Sequence, residues 1–105
     1  MPSQFMPIAL IKNGKVELHK ESGSLIRTIG NGHAIDVNLN SDNTLVLITL
    51  DNGHVELRKD TGSLIRTIGN GHAKGAKFNG HDILILLNSG KQELRKESGS
   101  LIRTI

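Results

Sequence analysis

The stretch from Glu17 to Ala34 reads ELHKESGSLIRTIGNGHA, and the stretch from Glu56 to Ala73 reads ELRKDTGSLIRTIGNGHA. A third copy, ELRKESGSLIRTI, runs from Glu93 to Ile105. The copies follow one another at a spacing of about forty residues, which is typical of repeat architectures. In such folds each unit buries its apolar surface against a neighbouring unit, so the repeat predicts a chain of stacked, similar units.

Apolar and polar residues alternate within each copy, as in Val55-Glu56-Leu57-Arg58. Alternation with a period of two predicts β-strands. The segment from Leu45 to Leu50 is apolar on both faces, which predicts a strand buried on both sides. Between these segments stand Asn-Gly, Ser-Gly and Thr-Gly pairs, which favour tight hairpin turns. No apolar pattern of helical period and length occurs.

The second and third units each predict a four-stranded antiparallel meander, whereas the first predicts only three strands. We expect the first unit to lack its innermost strand, a place that residues 1–5 would partly take or leave empty. The predicted strands are 7–12, 15–20 and 24–29 in the first unit; 34–39, 44–50, 54–59 and 63–68 in the second; and 73–78, 83–87, 92–96 and 100–104 in the third.

Four-stranded units of this length resemble the blades of a β-propeller, and their landmarks are similar to those of the WD-repeat family. Gly32-His33 stands where that family has its Gly-His pair, and Leu57-Arg58 stands where it has the Trp-Asp dipeptide, which is absent here. NHL-type blades share the same rhythm of strands and glycines. The resemblance implies an all-β fold of antiparallel four-stranded blades, two complete and one three-stranded. Residues 1–105 would form one propeller segment, with blades near 5–30, 34–69 and 73–105.

A closed propeller typically has about four to eight blades, and this sequence encodes fewer than three complete ones. An open arc would leave the Leu, Ile and Val faces of its end blades in water, at a cost of roughly 1.5–3 kcal/mol per side chain. Two copies would close a two-fold ring of about six blades, whereas three copies would give more than is usual. We therefore expect a homo-oligomeric ring, with a six-bladed dimer favoured over a trimer.

A further alternative is that the chain is a fragment or an engineered piece of a longer propeller. The near-identity of the units favours recent duplication or deliberate construction. A β-solenoid would also consist of repeats. Its coils are usually shorter and its strands parallel, however, which the hairpin turns argue against.

Composition limits the classes of function. The chain has no Cys, Trp or Tyr, which excludes disulfides and Cys-ligated zinc and disfavours a lectin that stacks sugars on aromatic rings. Its 13 basic and 10 acidic residues are interleaved, so nucleic acid is not an expected partner.

The N-terminal apolar run is interrupted by Pro7 and has no basic residue ahead of it. We therefore expect no signal peptide and no membrane span, and a cytoplasmic protein.

Histidine is the main candidate for a functional side chain, because Asn-Gly-His recurs at 31–33, 52–54, 70–72 and 79–81. In the propeller alignment Asn31 and His33 occupy a rim loop equivalent to that of Asn70 and His72. These four residues are our candidates for binding a ligand or partner. The WD-repeat resemblance instead implies a structural role for the histidines, and equivalent rim positions lie too far apart to share one metal ion. We predict neither a metal nor a cofactor.

A second recurring set combines acidic and basic side chains: Glu17, Glu56 and Glu93 with Arg27, Arg66 and Arg103. Such pairs could bind an anion or act in acid–base chemistry. They recur once per blade, whereas a catalytic site is usually single, so we favour a ladder of ion pairs between adjacent strands, each worth up to about 1 kcal/mol. The chain has no Gly-x-Ser-x-Gly elbow, no metal-binding spacing and no phosphate loop, and we expect no enzymatic activity.

These observations favour a non-enzymatic, self-assembling β-propeller that acts as a binding or scaffold module, with itself and other proteins as partners. The alternative is a small-ligand or carbohydrate-binding, lectin-like oligomeric propeller with one site at each blade interface.

Overall fold

The computed structural model describes residues 7–105, and this part of the chain consists of eleven β-strands without a helix. The strands are β1 (Ile8–Lys12), β2 (Lys15–His19), β3 (Leu25–Ile29), β4 (Ala34–Leu39), β5 (Leu45–Leu50), β6 (Val55–Lys59), β7 (Leu64–Ile68), β8 (Ala73–Asn79), β9 (Asp82–Leu87), β10 (Gln92–Lys96) and β11 (Leu101–Thr104).

The strands form three antiparallel sheets, each a meander in which neighbours in sequence are neighbours in space. Blade 1 consists of β1 to β3, blade 2 of β4 to β7, and blade 3 of β8 to β11. The predicted all-β architecture, with two four-stranded sheets and one three-stranded sheet, is confirmed. The suggested use of residues 1–5 as a substitute innermost strand of blade 1 lies outside the described residues.

Turn chemistry explains where the strands end. In the β1–β2 hairpin both turn residues have positive φ, 52° at Asn13 and 77° at Gly14. Asn and Gly tolerate this conformation, and its twist matches that of the flanking strands. The resulting register pairs Lys12 with Lys15. The Asn-Gly pair thus forms the tight hairpin that the sequence predicts.

The hairpin between the last two strands of every blade carries the same irregularity. The register shifts between Leu18 and His19 in blade 1, and between Leu57 and Arg58 in blade 2. A third shift falls between Leu94 and Arg95 in blade 3. At each shift the extra residue lies on the last strand of the blade, at Ile26, Ile65 and Ile102, so the strand before it keeps its regular alternation of side chains. The residues opposite the shift, His19, Arg58 and Arg95, belong to the site described below.

Two apolar cores lie between the blades rather than within one of them. Strand β5 contributes to both, because Val46 and Ile48 face blade 1 while Leu47 faces blade 3. The prediction that this strand is buried on both sides is therefore confirmed. The buried residues are Val16, Leu18, Ile29, Ala34, Val46 and Ile48 in the core between blades 1 and 2, and Leu47, Val55, Leu57, Ile68, Ala73, Ala76, Ile83 and Ile85 in the core between blades 2 and 3.

Candidate functional site: the rim loops and the open blade faces

The rim loops that contain the candidate histidines are built alike. The loop before β4 is held by two backbone bonds, from Ala34 N to Gly14 O (2.8 Å) and from Asp51 N to His33 O (2.8 Å). The loop before β8 is held by the equivalent bonds, from Ala73 N to Gly53 O (3.0 Å) and from Asn88 N to His72 O (2.9 Å). Each loop thus ties its own blade to the preceding one.

A cavity of about 250 Å³ opens at the first rim loop. The His33 ring nitrogen Nδ1 lies 3.5 Å from Asp51 Oδ2, and both side chains are exposed. The lining combines amide, imidazole and carboxylate groups with one aliphatic side chain, which suits a small polar molecule or a side chain of another protein. The lining residues are Asn31, Gly32, His33, Leu50, Asp51, Asn52 and Glu56.

The structure therefore brings two of the four candidate residues, Asn31 and His33, into one pocket. Asn70 and His72 are exposed on the other rim loop, where a Cβ on Gly71 would lie 3.3 Å from the His54 ring. Sequence reasoning did not place Leu50, Asp51, Asn52 and Glu56 in this pocket, although Asn52 and Glu56 belong to motifs that recur. Asp51 and Asn52 lie in the β5–β6 turn, and the Asn-Gly signal of that turn was the available clue.

No group of three or more His, Asp or Glu side chains within residues 7–105 is arranged to hold a metal ion. The same part of the chain contains no helix long and apolar enough to cross a membrane.

The recurring carboxylates pair differently from the sequence interpretation. Glu56 Oε1 accepts from Arg58 Nε at 2.9 Å, and Glu93 Oε1 accepts from Arg95 Nε at 3.0 Å. The interpretation that they pair with Arg66 and Arg103 across the hairpin is wrong. Residues two apart on a strand share a face, which brings these partners together. Arg66 instead donates to Ser98 O in blade 3, at 3.3 Å.

Each of these arginines also closes a turn. Arg58 Nη1 donates to Gly62 O at 2.7 Å, and Arg95 Nη1 donates to Gly99 O at 2.7 Å. Both guanidinium groups are largely buried, so their charge is balanced by the carboxylate and their remaining donors are directed at a carbonyl. The ion pair therefore fixes the hairpin between the last two strands of the blade.

Blade 1 keeps this arrangement with a histidine. His19 Nδ1 lies 2.8 Å from Gly23 O, and His19 Nε2 lies 2.9 Å from Glu17 Oε1. The hydrogen bond to the Gly23 carbonyl and, second, the bond to Glu17 raise the pKa of His19 above its ordinary value, while Lys12 acts in the opposite direction. The imidazole thus reproduces both contacts of the arginine in the other blades.

The outer faces of the end blades are apolar and open. Ile8 is 43 % exposed and Leu10 is 42 % exposed, whereas the equivalent Val46 and Ile48 of blade 2 are 0 % and 1 % exposed. At the other end Ile105 is 68 % exposed, although its repeat equivalent Ile68 is 1 % exposed. Positions that are buried between blades are therefore solvent-accessible at both ends of the arc.

No protein-family model matches the chain. No curated protein matches it either.

Solved structures of similar fold do exist. The whole chain matches BamB from Moraxella catarrhalis with a TM-score of 0.77 and 14% identity, over 34% of that chain. It also matches a chain in the crystal structure of the mitotic checkpoint complex with a TM-score of 0.80 and 17% identity, covering 95% of this chain and 35% of that one. Both are β-propellers, so the sheets of this chain have the fold of β-propeller blades. This chain spans about a third of the length of either neighbour.

Proposed function

We propose that this chain is a non-enzymatic propeller segment that closes its ring with a second copy of itself and binds other proteins at its rim. The open end faces carry the proposal. The repeat positions that are buried at two inter-blade interfaces are exposed at Ile8 and Leu10 of blade 1 and at Ile105 of blade 3. Leu84 and Leu94 of blade 3 are half-buried. Faces of this kind are found where a neighbouring unit packs.

The two end faces of the arc correspond to the two sides of an inter-blade interface. Blade 1 offers the face that in blades 2 and 3 receives the preceding blade, with Ile8 and Leu10 in place of Val46 and Ile48. Blade 3 offers the face that in blade 2 packs on the following blade, with Leu84 and Leu94 in place of Leu47 and Leu57. Blade 3 of one copy would pack on blade 1 of the other, and two such seams complete a two-fold ring.

The comparisons with solved structures support completion of the arc by further blades rather than a particular number of copies. Each neighbour is about three times as long as this chain. An arc with two four-stranded blades and one three-stranded blade must therefore be extended before it resembles a whole ring, and two copies would supply about six blades. One neighbour is a chain of the mitotic checkpoint complex, which favours a protein-binding or scaffold role for the ring.

Assembly is measured first, by sedimentation equilibrium over a wide range of protein concentration. The proposal predicts a dimer with twice the mass of the chain and no larger species. A monomer at all concentrations would contradict ring closure by a second copy. A stable trimer would require a ring with more blades than is usual.

The rim pocket favours a second candidate function, the binding of a small polar ligand or sugar. Its volume of about 250 Å³ and its polar lining suit a molecule of that size. Calorimetry that measures binding of a panel of sugars and small amines, with Asp51→Ala as the control variant, distinguishes the small-ligand function from the scaffold function. Saturable binding that Asp51→Ala abolishes would support the small-ligand function over the scaffold.

A further inference from the structure

The ion pair of each blade lies on the face that meets the preceding blade. In blade 2 the register places Arg58 opposite Val46 and Glu56 opposite Ile48, and both apolar residues are buried against blade 1. Blade 3 repeats this arrangement, with Arg95 opposite Ile83. Both arginines are therefore part of interfaces between blades.

In blade 1 the same face is the open one. The register places His19 opposite Ile8 and Glu17 opposite Leu10, the two exposed residues of the proposed seam. The one blade whose ion pair faces a second copy is thus the blade in which histidine replaces arginine.

The two bonds of His19 require a charged ring. Both acceptors, Gly23 O and Glu17 Oε1, are at hydrogen-bond distance from different ring nitrogens. A neutral imidazole donates from only one nitrogen, whereas imidazolium donates from both. Arginine, by contrast, stays charged at every pH at which proteins fold.

We propose that His19 is a pH switch in the seam between two copies, so that the ring closes tightly when its imidazole is protonated and loosens when it is neutral. This inference rests on the proposed ring closure. In one copy the His19 and Glu17 side chains are already only 13 % and 22 % exposed, and packing a second copy on blade 1 would bury the remainder of the pair. With a protonated His19 the buried pair is neutral overall and fully bonded. With a neutral His19 the seam would enclose the Glu17 carboxylate without a balancing charge, which is costly.

The charged groups around His19 are few. Glu17, on its own strand, favours protonation, and Lys12, on β1, opposes it. Its cross-strand neighbours, Ile8 on β1 and Leu25 on β3, are uncharged. From the second copy, the repeat equivalence with Arg66 and Ser98 brings Arg103 to the turn at Ser22. The guanidinium of Arg103 would bring one positive charge to the seam.

The sign follows from the direction of the shift. The pKa of His19 is raised in the folded chain, chiefly by the carbonyl of Gly23. Its contribution to the stability of the single chain is therefore fully present below the ordinary histidine pKa, and it is lost as the pH rises through the raised value. The direction for assembly has a separate reason: closing the seam over a neutral His19 leaves the Glu17 carboxylate without a balancing charge, so we expect assembly to weaken from mildly acidic to mildly basic pH.

The test measures the dimer dissociation constant by sedimentation equilibrium for wild type and His19→Arg. The wild-type constant should rise by about tenfold or more between about pH 5.5 and about pH 8.5, because each of two seams loses a charge-assisted bond. His19→Arg should stay tightly dimeric throughout, since blades 2 and 3 already accommodate arginine at this position. Arg58→His is the matched control. It should make chemical unfolding of the chain pH-dependent and leave its dimerisation no more pH-dependent than that of wild type.

The outcomes separate the two proposals. A dimer whose affinity is independent of pH, or equally pH-dependent in His19→Arg, would overturn the switch and leave ring closure standing. A wild-type chain that is monomeric at every pH would overturn ring closure and the switch together. Strong pH dependence in wild type that His19→Arg removes would support both.

Discussion

At the scale of single residues, Thr49 on β5 stands out because it is a polar side chain in an apolar core. It is 1 % exposed, and its hydroxyl has no hydrogen-bond partner within residues 7–105. A buried hydroxyl without a partner destabilises the folded state, because it loses its bonds to water. We predict that Thr49→Val, which keeps the shape, increases the free energy of unfolding by about 1 kcal/mol in urea denaturation.

The control for this prediction is Thr49→Ser, which keeps the hydroxyl and removes the methyl group. It should lower the free energy of unfolding, since a small cavity is added and the unpaired hydroxyl remains. If Thr49→Val were as destabilising as Thr49→Ser, the hydroxyl would have a partner that supports the fold.

Two side chains of β4 hold the neighbouring β8 at a single residue. Ala76 N donates to Asp36 Oδ2 at 3.2 Å, and Asn38 Nδ2 donates to Ala76 O at 2.8 Å. The pair thus satisfies both backbone groups of Ala76, as a further strand would. We predict that Asp36→Ala lowers the free energy of unfolding by about 1 kcal/mol. Lys74→Ala, at an exposed position on β8, should be close to neutral in the same denaturation series. Equal effects of the two variants would contradict a stabilising role for the hydrogen bond between Asp36 and Ala76.

At the scale of elements, the sequence predicts the strands well and the contacts of their side chains poorly. Every predicted strand agrees with the structure within one residue at either end, because alternation and Asn-Gly turns are local properties of the chain. The pairing of Glu56 with Arg58 was missed. The period-two alternation does place both residues on one face of β6. The hydrophobic pattern does not encode the reach of the Arg58 side chain to Gly62 O, which fixes the guanidinium beside Glu56.

The rim pocket illustrates the same limit. Asn31 and His33 were identified because their motif recurs. Asp51 joins them because a backbone bond from Asp51 N to His33 O places the β5–β6 turn against the loop. That contact is between elements, and its counterpart in the third unit is Asn88 rather than an acid, so repetition could not reveal it.

The β5–β6 turn also determines how closely two blades approach. A Cβ on Gly53 would lie within 2.7 Å of the Gly71 carbonyl carbon, and Gly53 has a φ of 86°. Gly62 has a φ of 106° with nothing within 4 Å of its Cβ position. We predict that Gly53→Ala destabilises the chain by about 3 kcal/mol or more, and Gly62→Ala by only about 1 kcal/mol. Thermal unfolding of both variants isolates the inter-blade contact, and similar losses would show that backbone strain alone matters.

At the scale of the whole molecule, Leu10 and Ile48 occupy equivalent positions with opposite exposure, and this contrast tests the seam. Leu10→Asp puts a carboxylate on the open face of blade 1, where water solvates it in the single chain. Ile48→Asp puts the same group in the core between blades 1 and 2, where it has no partner. We predict that Leu10→Asp leaves the circular dichroism spectrum unchanged and raises the dimer dissociation constant by about thirtyfold or more, the loss expected at the centre of an interface. Ile48→Asp should unfold the chain.

Dimers of Leu10→Asp as tight as those of wild type would mean that the blade 1 face is not the seam. Loss of the β-sheet circular dichroism spectrum in Leu10→Asp would mean that Leu10 already supports the fold of one copy.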